Sequence, residues 1–436
     1  MLKKTITAVA TLSIMSIVFP RNVSAQGRTW AGTSLEQIVD TARWKIGFLR
    51  ANAAFSLTNA GYDSDIYHGS LTEEVPDVTC APGVSMQVLA PLSRKIVLDL
   101  VENPQYVFYL DTNNERALNN SLRAQLHIAL EEMYLRGGGK LTTLRRRLSP
   151  ELMLNIKERT SGLDGLTLWQ VSKQASMAVM YAVERLDYSD PGTEDIDIAE
   201  VLNRTENKFG AAFYLQPNPR YRIVLEGQYG TYDFPEGEES TRDARSYRVT
   251  GGIEITPREG EVVEAAGIQG NISLGYVSLD MRNPLFLDGS GLAGDIDLSI
   301  EVLRRTIARA FFSRGFQFSV IYGASYYFAT AYGGGLTYRL SRRVFVSYGL
   351  SFGRSDYPES AAGNGVPQGV RNRLTTHMGS LEIRLARNLT MTLLGTFGSR
   401  MLEGSGPSRD RNFIGINLIY GTPPARVMAP NTGMIF

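Results

Sequence analysis

Three carboxylates crowd the stretch "GDIDLSIE": Asp295, Asp297 and Glu301. Paired carboxylates can divide acid and base roles between them, so chemistry could reside here. The spacing favours a plainer role. These acids alternate with Ile296, Leu298, Ile300 and Val302, and such alternation marks an extended strand with two unlike faces. Acids along one wet face make a solvated wall without any catalysis. The remaining reactive side chains offer less. Cys80, in "TCAPG", is the single cysteine, so no internal disulfide can form and an inert wall or loop position is expected. His68, His127 and His377 lie far apart without metal-ligand spacing, and each reads as a polar wall or loop residue. The glycines of "GGIEITPREGE" and "YGGGLTY" lack the strand-to-helix setting of a phosphate loop, and no motif fixes a serine nucleophile. No catalytic residue, metal or cofactor is expected; an enzyme is the minority alternative.

The elements that would hold these residues share one pattern. "VFVSYGLSFGRSDY" places Val344, Val346, Tyr348, Leu350 and Phe352 on one face and Phe345, Ser347, Gly349, Ser351 and Gly353 on the other. "YRIVLEGQYG" sets Tyr221, Ile223, Leu225 and Tyr229 against Arg222, Glu226 and Gln228. "SYRVTGGIEI" sets Tyr247, Val249, Ile253 and Ile255 against Arg248, Thr250 and Glu254. "LRAQLHIALE" sets Leu122, Leu126, Ile128 and Leu130 against Arg123, Gln125, His127 and Glu131. A soluble sandwich would bury the apolar face in a core, whereas a membrane barrel would turn it to lipid and wrap the polar face around a channel.

The connections discriminate between these environments. One set is short and basic: "LSRR" at 340–343, "LARN" at 385–388, "QPNP" at 216–219, "LRR" at 303–305 and "PLSR" at 91–94. The other is longer and acidic, as in "YDSDIYHGSLTEEVPD" from Tyr62, "LDYSDPGTEDID" from Leu186, "YDFPEGEESTRD" from Tyr232 and "SDYPESAAGNGVPQG" from Ser355. Short periplasmic turns alternating with long outer loops are the habit of a transmembrane up-and-down antiparallel β-barrel. Tyr62, Tyr188, Tyr232 and Tyr357, at the long-loop ends, are expected in the interfacial aromatic girdle. Counting by this parity gives about eighteen strands, with sixteen as the alternative. The count uses "RGGGK" and "SGLDG" as turns between Tyr134 and Lys173.

A barrel of that size is too wide for side chains to fill and holds water unless plugged. Its wall would carry Arg123, Gln125, Glu131, Lys157, Arg222, Glu226, Arg248, Glu254, Asp295, Asp297, Glu301, Arg339, Glu382 and Arg384. Both signs occur in similar number, which suits a neutral or weakly charged hydrophilic solute. Gly333, Gly335, Gly349 and Gly353 would leave room on the inner face.

The whole 436-residue chain agrees with this. Its 45 basic and 44 acidic residues give no basic excess, so a nucleic-acid partner is not expected. Residues 1–25 have the form of a secretory signal peptide, with Lys3 and Lys4, an apolar run from Ile6 to Phe19 and "VSA" before Gln26. No later apolar run reaches the ~18–20 residues of a spanning helix. A periplasmic segment at 26–43 follows, where Ser34 and Gln37 can form a capping box ahead of Leu35, Ile38, Val39 and Ala42. A frayed tail and a short helix that contacts a partner or partly covers the lower mouth are both open there. The barrel is placed at 44–421 and a periplasmic tail at 422–436. For the assembly machinery, the alternating Ile414, Ile416, Leu418 and Tyr420 of the last strand form one candidate signal and Phe436 a second.

Several longer stretches, "GYDSDIY", "PQYVFYLDTNNERALN", "RRRLSPELMLNIKERTSGLDGLTLWQ", "YAVERLDYSD" and "NISLGYVSLDMRNPLFLDGSGLAGDIDLSIEVLRRT", together resemble the putative beta-barrel porin 2 family of bacterial outer-membrane proteins. The resemblance spans about Trp44 to Tyr420 and rests on diffuse strand and loop signatures. It implies an eighteen-stranded barrel that works with a separate periplasmic polysaccharide-export protein to pass exopolysaccharide through the outer membrane. Outer-membrane lipids and the barrel-assembly machinery are the other expected partners. A general diffusion porin and a structural outer-membrane protein remain the alternatives.

Overall fold

Alternation of apolar and polar residues gives each strand two faces, and a sheet with one greasy face in lipid must close to satisfy its edges. Each backbone group left unpaired in hydrocarbon costs several kcal/mol. The computed structural model describes residue 35 and residues 39–40, 42–67, 74–146, 155–189, 198–235, 242–255, 267–284, 286–303, 305–320, 325–357, 372–402 and 409–424. They form a closed antiparallel barrel of eighteen strands. In chain order these are β1 (Leu49–Asp63), β2 (Asp77–Ser93), β3 (Ile96–Glu102 and Gln105–Tyr109), β4 (Ala117–Ala129), β5 (Met133–Arg146), β6 (Ile156–Gln170), β7 (Ala175–Ser189), β8 (Arg204–Asn218) and β9 (Tyr221–Asp233). The second half comprises β10 (Ala244–Ile255), β11 (Ile268–Met281), β12 (Gly289–Leu303), β13 (Thr306–Phe318), β14 (Tyr326–Arg339), β15 (Val344–Asp356), β16 (Asn372–Ala386), β17 (Leu389–Leu402) and β18 (Arg409–Gly421).

Neighbours in the chain pair in register, and β1 against β18 closes the sheet, from Ala54 opposite Gly421 to Asp63 opposite Phe413. This seam is tight. A Cβ at Gly61 would collide with the backbone of Ile414 and Gly415, so no larger residue fits there. Asn59 bulges at φ 50, and its N–H donates to Asn417 Oδ1 at 2.7 Å. In β3 the break falls at Asn103 and Pro104 because proline has no N–H to give to a ladder. Its carbonyl still accepts from Val84 N at 2.9 Å. A three-residue strand, Trp44–Ile46, folds back on β1 through Gly47 at φ +59.

The glycines of "RGGGK" and "SGLDG" are strand residues, within β5 and β6. Glycine in a strand marks close approach as readily as a turn: a Cβ at Gly138 would meet Ala124 O at 2.6 Å. The reversals lie instead at residues 130–132 and 171–174 on one rim and between Arg146 and Ile156 on the other. His68, the leader at 1–25 and Phe436 lie outside the described residues.

The interior is layered. Near the short-turn rim, Leu35, Val39 and Asp40 are helical, and Leu35 and Val39 pack on inward-facing Leu89, Val97, Tyr134, Leu166, Leu168, Met180 and Tyr214. Leu35 and Val39 therefore sit inside the sheet. At the long-loop end a second apolar cluster joins Ile198 and Leu202, from the short helix α1 (Ile198–Leu202), to Leu186, Tyr188, Tyr232, Phe234, Val277, Leu279 and Phe318.

That second cluster depends on a split in the wall. The β12–β13 ladder ends at Gly294 opposite Arg314. The β11–β12 ladder runs on to Gly289 and the β13–β14 ladder to Phe318 opposite Tyr326. Freed from β12, the upper β13–β14 hairpin bends inward. Phe328 lies against Gly291, where a Cβ would come within 3.3 Å of its ring, and Tyr326 crowds Gly289 and donates to Asp288 O at 3.1 Å. Beyond the bend, Ser319, Val320, Ser325 and Tyr327 are buried, and Arg242 donates to Ser319 O at 2.6 Å.

Candidate permeation pathway

Between the two apolar clusters the inner face is a belt of charge, placed there by strand parity. On β4 and β5, Arg123, Gln125 and His127 alternate with outward Leu122, Ala124 and Leu126, and face Lys140, Gly138 and Arg136 across the ladder. Each charge finds an opposite one nearby. Arg123 lies 3.6 Å from Asp99, Arg136 2.9 Å from Asp164, and Lys140 2.8 Å from Glu184. Glu206 bridges Arg204 at 2.7 Å and Lys208 at 2.6 Å. Arg222 pairs with Glu254 and stacks over Tyr214, its guanidinium carbon 4.7 Å from the ring centroid. Asp297 takes both forks of Arg309 at 2.8 Å each, and Asp295 accepts from Asn271 at 3.2 Å. Pairing removes most of the desolvation cost that lone ions would carry on a crowded inner wall.

These bonds decide the chemistry of the three acids. A carboxylate held bidentately by arginine is a poor base, and Asp295, with Ser273 and Ser313 directly opposite it, is itself held by Asn271. Among the described residues no cluster of His, Cys, Asp and Glu could hold a metal. His127 is buried against Tyr134, with Nδ1 2.6 Å from the hydroxyl. His377 is a wall residue on the outer face, 2.7 Å from the Tyr348 hydroxyl. Cys80 sits on the outer face of β2 opposite Phe108.

Most residues expected on the channel wall share the inner face: Arg123, Gln125, Arg222, Glu226, Arg248, Glu254, Asp295, Asp297, Glu301, Arg339, Glu382 and Arg384. Two do not. Glu131 lies in the turn after β4 with its side chain 92% exposed, because β4 ends at Ala129 and the alternation stops there. Lys157 points outward between buried Ile156 and Glu158, since β6 begins at Ile156 and fixes the parity.

The interfacial tyrosines divide as well. Tyr62 faces outward and is half exposed. Tyr188 and Tyr232 face inward and are buried in the long-loop cluster, and Tyr357 packs on inward Tyr327 at 5.3 Å between ring centroids. The inward hairpin gives these rings an apolar partner inside the barrel, which strand-end position alone does not reveal. The exposed outward aromatics include Trp169, Phe209, Tyr247, Tyr276, Tyr332 and Tyr348. In the last strand Ile414, Ile416 and Tyr420 are exposed on the outer face, in alternation with inward Phe413, and Leu418 shares their parity.

The belt is densest on one side of the barrel. From β14 to β17 many inner positions are small, Gly333, Gly335, Ser347, Gly349, Ser351, Gly353, Thr376, Ser380, Thr392 and Thr396, and Arg339, Phe345, Met378, Glu382 and Arg384 share their face. Gly335 stands directly opposite Gly349. Around a Cβ built at Gly349 the nearest atoms, Gly334 O and the end of Met378, are 3.7 and 4.0 Å away, so that position is open, whereas the Phe311 ring would lie 2.8 Å from a Cβ at Gly333.

A closed barrel with lipid-facing apolar residues and a polar interior is the architecture of a porin, and a family model described as Putative beta-barrel porin 2 matches residues 165–392. The chain belongs to this family. Among solved structures, OccAB4 of Acinetobacter baumannii matches at 12% identity and TM-score 0.46, over 85% of this chain and 98% of that one. OccK3 (OpdO) of Pseudomonas aeruginosa matches at 12% identity and TM-score 0.46, over 89% of this chain and 97% of that one. No curated protein matches the sequence.

Proposed function

We propose that this family member is an outer-membrane pore through which a hydrophilic polymer, an exopolysaccharide, leaves the cell. The supporting observation is the inner wall of β14–β17, rich in glycine, serine and threonine, facing the ion-paired belt. Small polar residues leave width for a sugar chain, while the belt offers exchangeable hydrogen bonds without a net charge to trap the polymer. Transport is passive on this reading, and directionality comes from synthesis behind the pore, delivered through a periplasmic polysaccharide-export protein. Residues 1–25 serve as the cleaved leader and 422–436 as a periplasmic tail. The barrel-assembly machinery inserts the chain among outer-membrane lipids.

Deleting the gene while following surface polysaccharide and small-solute uptake tests this. Loss of surface polymer with normal uptake is expected. Unchanged polymer with altered nutrient or antibiotic permeability would assign the chain to general diffusion instead. That second reading draws on the inward β13–β14 hairpin, which narrows the mouth as a size-selecting loop would.

A further inference from the structure

Charge is segregated around the barrel in the same way as side-chain size. The stretch from Val302 to Leu402, which contains β13 to β17, carries thirteen arginines and no lysine against Asp356, Glu359 and Glu382, a net of +10. The rest of the chain carries 32 basic and 41 acidic residues, a net of −9. The near-neutral total of +1 hides this division. The side with the small inner residues is thus the basic side, and a cleft lined by one sign of charge concentrates ions of the other sign.

The arginines differ in what they hold. In the belt guanidiniums meet carboxylates, as Arg136 meets Asp164 and Arg222 meets Glu254. At the short-turn rim of the basic side, Arg305 lies between β12 and β13, Arg342 and Arg343 link β14 to β15, and Arg387 links β16 to β17. All four are exposed, and none of their side chains pairs with an acid among the described residues. Successive turns along the rim lie two strands, roughly 10 Å, apart. Just inside the rim, on the inner face, Arg339 stands opposite Phe345 and Phe345 opposite Glu382. Arg384 lies 3.2 Å from Glu382, with its guanidinium carbon 4.6 Å from the centroid of the Phe345 ring. A basic track therefore leads from the turns to the foot of the small-residue wall. Lipid headgroups could meet the turns from outside, but only a chain that enters the lumen meets both tiers.

We propose that this track is the entry site for an acidic polysaccharide. Arg305, Arg342, Arg343 and Arg387 capture its carboxylates at the rim, and Arg339 and Arg384 receive them on the inner wall. Arginine suits the task because its planar fork matches a carboxylate with paired N–H donors. The proposal rests on the export reading and narrows its substrate to a polymer of acidic sugars.

The test uses the full mature chain in planar bilayers of zwitterionic lipid at low salt. Blockade of the current is followed with an oligomer of uronic acids and with a neutral glucose oligomer of equal length, each added from either side. From the short-turn side the acidic oligomer should block at a concentration about tenfold or more below the neutral one. That preference should fade in ~1 M salt, where charges are screened within about 3 Å. R305Q/R342Q/R343Q/R387Q should lose most of it, and heat-resistant migration on gels confirms that the variant is folded. Equal block by both oligomers in the wild type would overturn the proposal, as would an unchanged preference in the variant or an equal preference from both sides. Retention of phosphatidylglycerol by the wild type but not the variant, without any preference between oligomers, would assign the arginines to lipid and overturn it too. Export itself is judged by surface polymer in the deletion strain. Acid preference beside unchanged surface polymer would refute export while leaving the acid-binding site, and lost polymer without acid preference would refute the acidic substrate alone.

Discussion

The two sides of the barrel interior were built differently. From β2 to β12 the inner face carries long ionic side chains and two apolar clusters, one seating Leu35 and Val39 and the other seating α1 and the tip of the β13–β14 hairpin. From β14 to β17 it is richer in glycines and small hydroxyl residues, with Phe345, Met378, Glu382 and Arg384 set among them. Both sides use the same alternation of a polar inner and apolar outer position. The lesson is that the size of the inner residue, not its polarity, separates a side that anchors internal pieces from a side that leaves a path.

If that contrast is real, filling the open side should matter most. Gly349→Trp places a large ring where a Cβ meets nothing closer than 3.7 Å, so the barrel should fold while polymer export is abolished. Measuring surface polysaccharide with the heat-resistant band intact checks this; normal export would erase the distinction between the sides. On the filled side the converse is expected. Leu168→Ala should cost about 2–5 kcal/mol of stability through the cavity it leaves, seen as a lower unfolding midpoint, while export stays near normal in cells at moderate temperature.

A smaller effect should follow removal of residues 26–42, which takes Leu35 and Val39 off the inner wall. Conductance in planar bilayers should rise, and an unchanged conductance would mean that this segment does not narrow the path. Asp297→Asn should do least. It breaks the bidentate pair with Arg309 and frees one positive charge in a wide lumen, so reversal potentials should shift modestly towards anion preference without loss of folding.

Much of this was legible in the chain because strand parity is a short-range rule. The inner placement of Asp295, Asp297 and Glu301 and the outer placement of Val344, Val346, Tyr348, Leu350 and Phe352 follow from alternation alone. Lys157 and Glu131 escaped because parity holds only inside a strand, and a strand end one residue away reverses or removes it. The turns expected at "RGGGK" and "SGLDG" failed for a related reason: all these glycines are strand residues, and a Cβ at Gly138, Gly139 or Gly162 would press on a neighbouring strand of β4–β7. The inward hairpin left no local signal. Phe316, Phe318, Tyr326 and Phe328 look like a rim girdle, and only the loss of β12–β13 pairing above Gly294 turns them towards Tyr232 and Val277. Ser34 and Gln37 lie outside the described residues, and the seat of Leu35 and Val39 inside the barrel depends on residues as distant as Leu166 and Tyr214.

The most direct test of the account labels two neighbouring positions of β15 in intact outer membranes, using Ser351→Cys and Leu350→Cys in a Cys80→Ser background. A membrane-impermeant, sugar-sized hydrophilic thiol reagent should modify the cysteine at 351 and be blocked there by Gly349→Trp, while the cysteine at 350 stays shielded by lipid. Reaction at 350 with protection at 351, or equal reaction at both, would contradict a water-filled path along the small-residue wall.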